Sequence, residues 1–265
     1  MNDTVLLAVE AGIATLTLNR PKALNALDAA MVEGLANALD RIEAEAGIRV
    51  VVIQGSGNGF MAGGDLRGFS EWLDLPPPER KLRFERFIST VHPQILRLRR
   101  LPQPVLASLH GPVAGFGLSL MLACDLAVAA ENSVFTLAYS LIGTSPDGGS
   151  SFFLPRQVGL KKAMEIALLG DRFDAASALK LGLVNEVVPL DRLKDKTREI
   201  AARLAAGPAE AYAATKRLLN GSMTVTLEIQ LQSEIESFAH CSETEDFVEG
   251  ITAFLEKRTA HFKGI

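Results

Sequence analysis

His110-Gly111-Pro112-Val113-Ala114-Gly115-Phe116-Gly117-Leu118-Ser119-Leu120-Met121-Leu122-Ala123-Cys124-Asp125 is the stretch on which the fold turns. Val105, Leu106, Ala107 and Leu109, just upstream, read as a short buried strand, and Pro112 ends it. Gly115 and Gly117 then flank Phe116 where a buried helix begins. Glycine at such a place lets the backbone come close to a ligand. The first N–H groups of a helix have no partner inside it and can point at a negatively charged oxygen. A second glycine turn, Phe60-Met61-Ala62-Gly63-Gly64-Asp65, follows another apolar strand at residues 50–53. Two such turns can supply two N–H donors to one oxyanion, which suits acyl chemistry through an enolate.

Upstream of these turns, residues 5–9 and 13–18 read as a hairpin around Ala11-Gly12. Asp28 can cap a helix whose Met31, Val32, Leu35, Leu39 and Ile42 share one face. Residues 55–76 are rich in glycine and proline and read as a functional loop. Prolines 76 to 78 precede a helix at about 79–99, followed by strand 104–109, helix 115–123 and strand 125–130. This order predicts an α/β core with a mainly parallel sheet. After about residue 190 the strand signals stop. Leu193, Ile200 and Leu204 mark one helix; Pro208 opens a second, which Asn220-Gly221 closes. Leu227, Leu231, Ile235 and Phe238 mark a third, and Ser242 with Glu245 forms a candidate capping box for the last. The expected division is a core over 1–190 and a helical appendage over 191–265, of the kind that makes subunit contacts.

Composition narrows the function classes. The chain has 265 residues, 48% of them apolar, enough for one large domain or a domain with an appendage. A net charge of −4 argues against a general nucleic-acid binder. Cys124 and Cys241 form no CxxC pair, so neither a zinc site nor a disulfide framework is expected, and a reducing compartment fits. The opening MNDTVLLAVE lacks the basic start and long apolar run of a signal peptide. No stretch reaches the ~18 apolar residues of a membrane span. Lys263-Gly264-Ile265 is not a peroxisomal address, and the expected location is the cytoplasm.

Four segments, in order, resemble the crotonase superfamily, the enoyl-CoA hydratases and isomerases. They are Asn19-Arg20-Pro21-Lys22-Ala23-Leu24-Asn25-Ala26-Leu27, Phe60 to Asp65, His110 to Asp125, and Glu249-Gly250-Ile251-Thr252-Ala253-Phe254-Leu255-Glu256-Lys257-Arg258. The resemblance covers nearly the whole chain. It implies a spiral of ββα units with a C-terminal helical trimerisation region, assembled as a trimer or a dimer of trimers. It also implies that the Gly64 and Phe116 N–H groups hold a thioester oxygen. Lys22, Ala23, Leu24, Ala26, Ala62, Asp65 and Leu66 would line the coenzyme A path, and Phe254 and Lys257 would reach coenzyme A from a neighbouring subunit. A lone glycine here would be read as a turn without a ligand, and a lone lysine as a solvated charge.

The family's hydratases use two glutamates around a water, and the matching positions here hold Ser119 and Tyr139. A hydroxyl and a phenol are almost fully protonated near neutral pH, so this chain departs from two-carboxylate hydration. A carboxylate follows eight residues after Tyr139, at Asp147 in Tyr139-Ser140-Leu141-Ile142-Gly143-Thr144-Ser145-Pro146-Asp147-Gly148-Gly149-Ser150-Ser151. That segment is similar to the Δ3,Δ2-enoyl-CoA isomerases and to the ring-epoxide isomerases of phenylacetate catabolism, in which the acidic residue after Pro is the base. The resemblance thus implies an acyl-CoA double-bond isomerase with Asp147 as base and Gly64 and Phe116 as oxyanion donors. No metal or redox cofactor is called for, since coenzyme A is carried by the substrate. The alternatives are an enoyl-CoA hydratase, a ring isomerase of aromatic catabolism, and a non-catalytic CoA- or RNA-binding member.

Several signals have a plainer reading beside the functional one. Asp147 before Gly-Gly-Ser-Ser also suits a helix cap. Ser119 lacks a GxSxG setting and reads as a small packed helix residue. Tyr139 reads as a hydrogen-bond donor in the acyl pocket or as packing. Gly55-Ser56-Gly57-Asn58-Gly59 reads as a turn rather than a nucleotide loop. Arg80, Lys81, Arg83 and Arg86, with Arg97, Arg99 and Arg100 beyond, read as a solvated face or an attractor for phosphates. Phe69 and Trp72 read as a cover for an acyl chain or as loop packing.

Overall fold

A computed structural model gives the architecture and describes residues 3–264. Met1 and Asn2 of the N-terminal stretch and Ile265 of the C-terminal tripeptide lie outside the described residues. Strands β1 (Val5–Glu10) and β2 (Ile13–Leu18) form the expected antiparallel hairpin. Its two turn residues, Ala11 and Gly12, both take positive φ (49° and 75°), which matches the twist of paired strands. Helix α1 (Ala29–Ala44) starts at Asp28, whose carboxylate accepts from Met31 N at 2.8 Å. The face predicted from periodicity is the buried one, with Met31, Leu35, Leu39 and Ile42 inward. Strand β3 (Val50–Gly55) lies parallel to β2. A short helix, α2 (Leu66–Ser70), interrupts the expected loop. Helix α3 (Pro77–Arg100) takes Pro77 and Pro78 into its first turn, where a missing N–H has no intrahelical bond to lose.

Strand β4 (Val105–Leu109) is buried throughout and parallel to β3, as a central strand covered on both faces must be. Pro112 does not simply end that strand, because a second strand, β5 (Pro112–Ala114), begins at it. Helix α4 (Phe116–Ala123) follows, every residue buried, so its apolar sequence all round is what its position requires. Strand β6 (Leu126–Ala130) returns to β4, and β7 (Val134–Thr136) joins β5. Helices α5 (Ser150–Val158) and α6 (Leu160–Leu169), strand β8 (Phe173–Asp174), helix α7 (Ala175–Lys180) and strand β9 (Glu186–Val188) complete the core. The larger sheet runs β1-β2-β3-β4-β6-β9 and the smaller β5-β7-β8. Through the middle of the chain, successive strands alternate between the two sheets. This alternation winds the chain as the spiral of ββα units that the resemblance implies.

Four helices close the chain: α8 (Leu193–Ala205), α9 (Ala209–Gly221), α10 (Leu227–Ser242) and α11 (Glu245–Glu256). The expected boundary near 190 falls just before α8. That helix covers one face of the larger sheet, with Leu193 and Ala201 packed among Val50, Val52, Leu106 and Val128. The other face carries the main core, including Leu16, Ile53, Phe60, Leu109 and Leu118. Helix α9 is tied to the core by Lys216, whose Nζ lies 2.7 Å from Asp125 Oδ2 and donates to Gln103 O at 2.9 Å. Helices α10 and α11 leave Leu231, Ile235, Phe238, Ile251 and Phe254 exposed in the single chain.

The capping box expected at Ser242 is corrected. Ser242 closes α10 and donates to Ala239 O, whereas Thr244 caps α11 by accepting from Phe247 N at 3.1 Å. The chain after α11 folds back: Asp246 accepts from Lys263 N and Gly264 N at 2.6 and 2.8 Å, and Arg49 donates to Lys263 O. Cys124 is buried at the end of α4, and burial pushes its thiol far above the ordinary range. Cys241 is half-buried, in a cleft between α9, α10 and α11. Among the described residues, no helix is long and apolar enough to cross a membrane.

Candidate active site

The two glycine turns meet. Phe60 N donates to His110 O (2.8 Å), Met61 N to Pro112 O (3.0 Å) and Ala114 N to Met61 O (2.9 Å), so the turns run side by side as a miniature parallel ladder. Gly63 takes φ +101°, and a Cβ there would lie 3.2 Å from Ala114 O and 3.5 Å from Phe116 N. Gly115 takes φ +50°, with its own Cβ position 3.4 Å from Gly63 Cα. Only glycine allows both this backbone and this approach. The result exposes two amides. Among the described residues, neither Gly64 N nor Phe116 N donates to a protein acceptor, and Phe116 opens α4, where the helix dipole favours negative charge.

The segment over 20–28 is laced to the first turn. Ala62 N donates to Leu24 O, Leu27 N to Gly63 O and Asp65 N to Leu27 O. Leu24 and Asn25 are both left-handed (φ 48° and 57°), a strained pair for residues other than glycine. The fully buried Asn25 amide offsets that strain by donating to Ser56 O, Gly59 O and Phe60 O at 2.9–3.1 Å. Arg20 bridges Asp28 (3.0 Å) and Asp65 (2.8 Å) and also donates to Ala26 O. Asp65 accepts from Gly68 N as well, capping α2, and the Arg20 guanidinium holds its carboxyl below the usual range. Asp65 is therefore occupied in a clamp. Around it Lys22, Leu24 and Leu66 are exposed, Ala23 and Ala62 half-buried, and Ala26 buried. Asn25 and Arg20 stood inside the quoted sequence segment, but nothing in their spacing marked them as the clamp.

The candidate base sits against α4. Gly148 takes φ +60°, and a Cβ there would lie 2.8 Å from the Phe116 ring and 2.9 Å from Ser119 Cβ. The Asp147-Gly148 backbone thus presses directly on the helix that begins with the Phe116 amide. The Tyr139 hydroxyl donates to Asp147 Oδ1, and Ser119 Oγ lies 3.3 Å from that hydroxyl. Ser119 Oγ also donates to Asp147 O at 3.0 Å, so its packed position includes a polar task. Asp147 is not a side-chain cap: α5 follows Gly149 with no capping side chain, and it is the Asp147 carbonyl that accepts from Ser150. Burial raises the Asp147 pKa above the ordinary carboxylate value, against the lowering effects of the Tyr139 hydrogen bond and of His92. Burial and the neighbouring carboxylate push the Tyr139 phenol far up, so it stays a proton donor. His92, on α3, brings Nε2 to 3.4 Å from Gly148 N. A lone histidine 55 residues before Asp147 carries no sequence signal for that contact.

The remaining expectations divide. Phe69 and Trp72 pack with Phe84 and Phe87 of α3, at ring separations of 4.9–6.0 Å, and the Phe69 ring lies against Gly64. They form an aromatic wall beside the candidate oxyanion donor. The basic run serves contacts within the chain: Arg83 lies over Trp72, Arg97 pairs with Asp40 and Glu43, and Arg99 with Asp125. Phe254 is 83% exposed and Lys257 ends α11, so one chain alone does not bury them. Among the described residues no group of His, Cys, Asp and Glu is arranged to hold a metal.

Comparison with known proteins follows the same lines. The family profile described as enoyl-CoA hydratase/isomerase matches residues 8–265. The chain is 40% identical to a "probable enoyl-CoA hydratase" of Rhodobacter capsulatus over 98% of each chain. It is 36% identical to the 1,2-epoxyphenylacetyl-CoA isomerase of Escherichia coli over the full length of both. A crystal structure of an enoyl-CoA hydratase from Polaromonas superposes with a TM-score of 0.91 at 36% identity, covering 98% of this chain and 99% of the other.

Proposed function

The chain belongs to the enoyl-CoA hydratase/isomerase family, and from that premise we propose that it is an acyl-CoA double-bond isomerase converting a 3-enoyl-CoA to a 2-enoyl-CoA. One observation carries the reading: the Asp147 carboxylate sits on a loop pressed against the helix that starts with the unpaired Phe116 amide. Asp147 takes a proton from C2 of the thioester. The electron pair moves into the carbonyl, and the oxygen gains charge facing the Gly64 and Phe116 amides. The protonated carboxyl then returns its proton at C4 as the double bond settles between C2 and C3. Losing one such amide donor costs roughly 2.7–4 kcal/mol of barrier, and the acid–base group contributes about 10²–10⁴-fold.

Lys22, Ala23, Leu24, Ala26, Ala62 and Leu66 are proposed to line the coenzyme A path, with Asp65 holding that path together through Arg20. Phe254 and Lys257 are proposed to reach coenzyme A bound to a neighbouring copy, in a homotrimer or a dimer of trimers. Coenzyme A enters as part of the substrate. The proposed setting is the cytoplasm, where Cys124 and Cys241 remain thiols.

Hydration is the second reading, favoured by the Rhodobacter relative's description. The test is turnover of trans-3-hexenoyl-CoA and, separately, trans-2-hexenoyl-CoA, followed by the absorbance of the conjugated enoyl thioester. Conjugation gained from the first substrate and lost in Asp147→Ala is the expected result. Conjugation lost from the second, with Asp147 dispensable, would replace isomerisation by hydration.

A further inference from the structure

We propose that Tyr139 is a positioning residue for Asp147, its hydroxyl fixing Oδ1 so that Oδ2 alone is left to take the proton. This rests on the reading of Asp147 as the base. The Tyr139 hydroxyl donates to Oδ1, while among the described residues no other side chain donates to Oδ2. A carboxylate free to rotate about its terminal bond presents either oxygen in a broad range of orientations. A phenol bonded to one oxygen removes that freedom and fixes which oxygen faces the substrate. Ser119 completes the arrangement from α4. Its Oγ donates to Asp147 O at 3.0 Å and packs 3.3 Å from the Tyr139 hydroxyl, so one serine ties the base loop beneath the phenol to the helix carrying the Phe116 amide. Base and oxyanion donor are thereby held in one frame.

The same bond bears on the protonation state. Burial disfavours the Asp147 carboxylate, and the Tyr139 hydrogen bond and His92 on α3 favour it. Around Asp147, α4 contributes the neutral Ser119 and the start of α5 the neutral Ser150. Tyr139 and His92 are thus the titratable groups that act on it. Removing the phenol hydroxyl withdraws a stabilising bond from the charged form, so the Asp147 pKa moves further up.

Tyr139→Phe keeps the ring and removes only the hydroxyl. The assay is exchange of the C2 protons of hexanoyl-CoA in D2O, read by NMR, which needs the base and the oxyanion donors but no double bond. Expected for Tyr139→Phe are a fall in the exchange rate of about tenfold to a hundredfold, as for a hydrogen bond to a charged group, an unchanged KM, and an acid limb displaced to higher pH. Ser119→Ala, which removes the support rather than the bond, gives a shift in the same direction and of smaller size. A Tyr139→Phe protein with the wild-type rate and acid limb overturns the positioning role while leaving Asp147 as base. An Asp147→Asn protein that still exchanges overturns the base and the proposal together. The Asp147 titration in carboxyl-13C-labelled free protein, assigned with Asp147→Asn, reads the same effect without turnover. An unmoved titration in Tyr139→Phe overturns the proposal whatever the activity.

Discussion

A carboxyl group withdrawn from water by burial is costly to ionise and, once ionised, strongly basic. With its pKa raised, Asp147 gives isomerisation an acid limb above the ordinary carboxylate value of about 3.9. kcat/KM for 3-hexenoyl-CoA is expected to fall as pH drops through that limb, and a pH profile checks it. Linkage adds a second outcome. A carboxyl whose pKa is higher folded than unfolded contributes stability below its unfolded pKa and loses it as pH rises through the folded value. At neutral pH, therefore, Asp147 weakens the fold that it serves. Asp147→Asn is expected to abolish turnover yet raise the thermal midpoint at pH 7, with the gain shrinking in acid; calorimetry at the two pH values decides. Its neighbour Gly148 works in the opposite direction. At φ +60°, with Phe116 and Ser119 within 2.9 Å of where a Cβ would stand, Gly148→Ala is expected to cost roughly 1–3 kcal/mol in urea unfolding and to lower kcat as the base loop lifts from α4.

At the scale of elements, α9 is tied to the core through one buried cation. Lys216 is pulled toward neutrality by burial, yet it keeps an ion pair with Asp125, whose carboxylate also accepts from Val105 N at 2.8 Å and lies near Arg99. Lys216→Ala leaves that carboxylate with only Arg99 and the Val105 amide and is expected to cost about 2 kcal/mol by urea unfolding, with Lys216→Ala/Asp125→Asn recovering part of it. Elements with a clear local signal were legible in the sequence: the β1–β2 hairpin by alternation, α1 by its apolar face and Asp28 cap, and α4 as an apolar run after a glycine turn. The smaller sheet was not, because strands as short as β5 and β8 carry no period to count. The last cap was misplaced because Ser242 and Thr244 are both good caps, and the end of α10 decides between them. Of the site, the glycine turns and Asp147 were legible through their resemblance to a family. The Tyr139–Asp147 bond, the Asn25 clamp and His92 depend on side chains that only the folded chain brings together.

At the scale of the whole molecule, the apolar faces of α10 and α11 set the expectation. Ile235 and Phe238 are 64% and 68% exposed, clustered apolar surface of the kind that marks a contact site. Ile235→Glu/Phe238→Glu is expected to convert a trimer to monomers in sedimentation velocity and, by withdrawing Phe254 and Lys257 from a neighbouring site, to raise KM for the acyl-CoA. A wild type that sediments as a monomer removes that assembly. The two cysteines supply an independent gauge of the same molecule. Cys124 is enclosed in the centre of the fold with its thiol held protonated, whereas Cys241 lies at the margin of a cleft. A disulfide reagent should count one sulfhydryl per folded chain quickly and the second only at the rate of global opening. The slow phase would clock the rupture of the core, and the fast one would register how readily the cleft between α9, α10 and α11 admits a reagent.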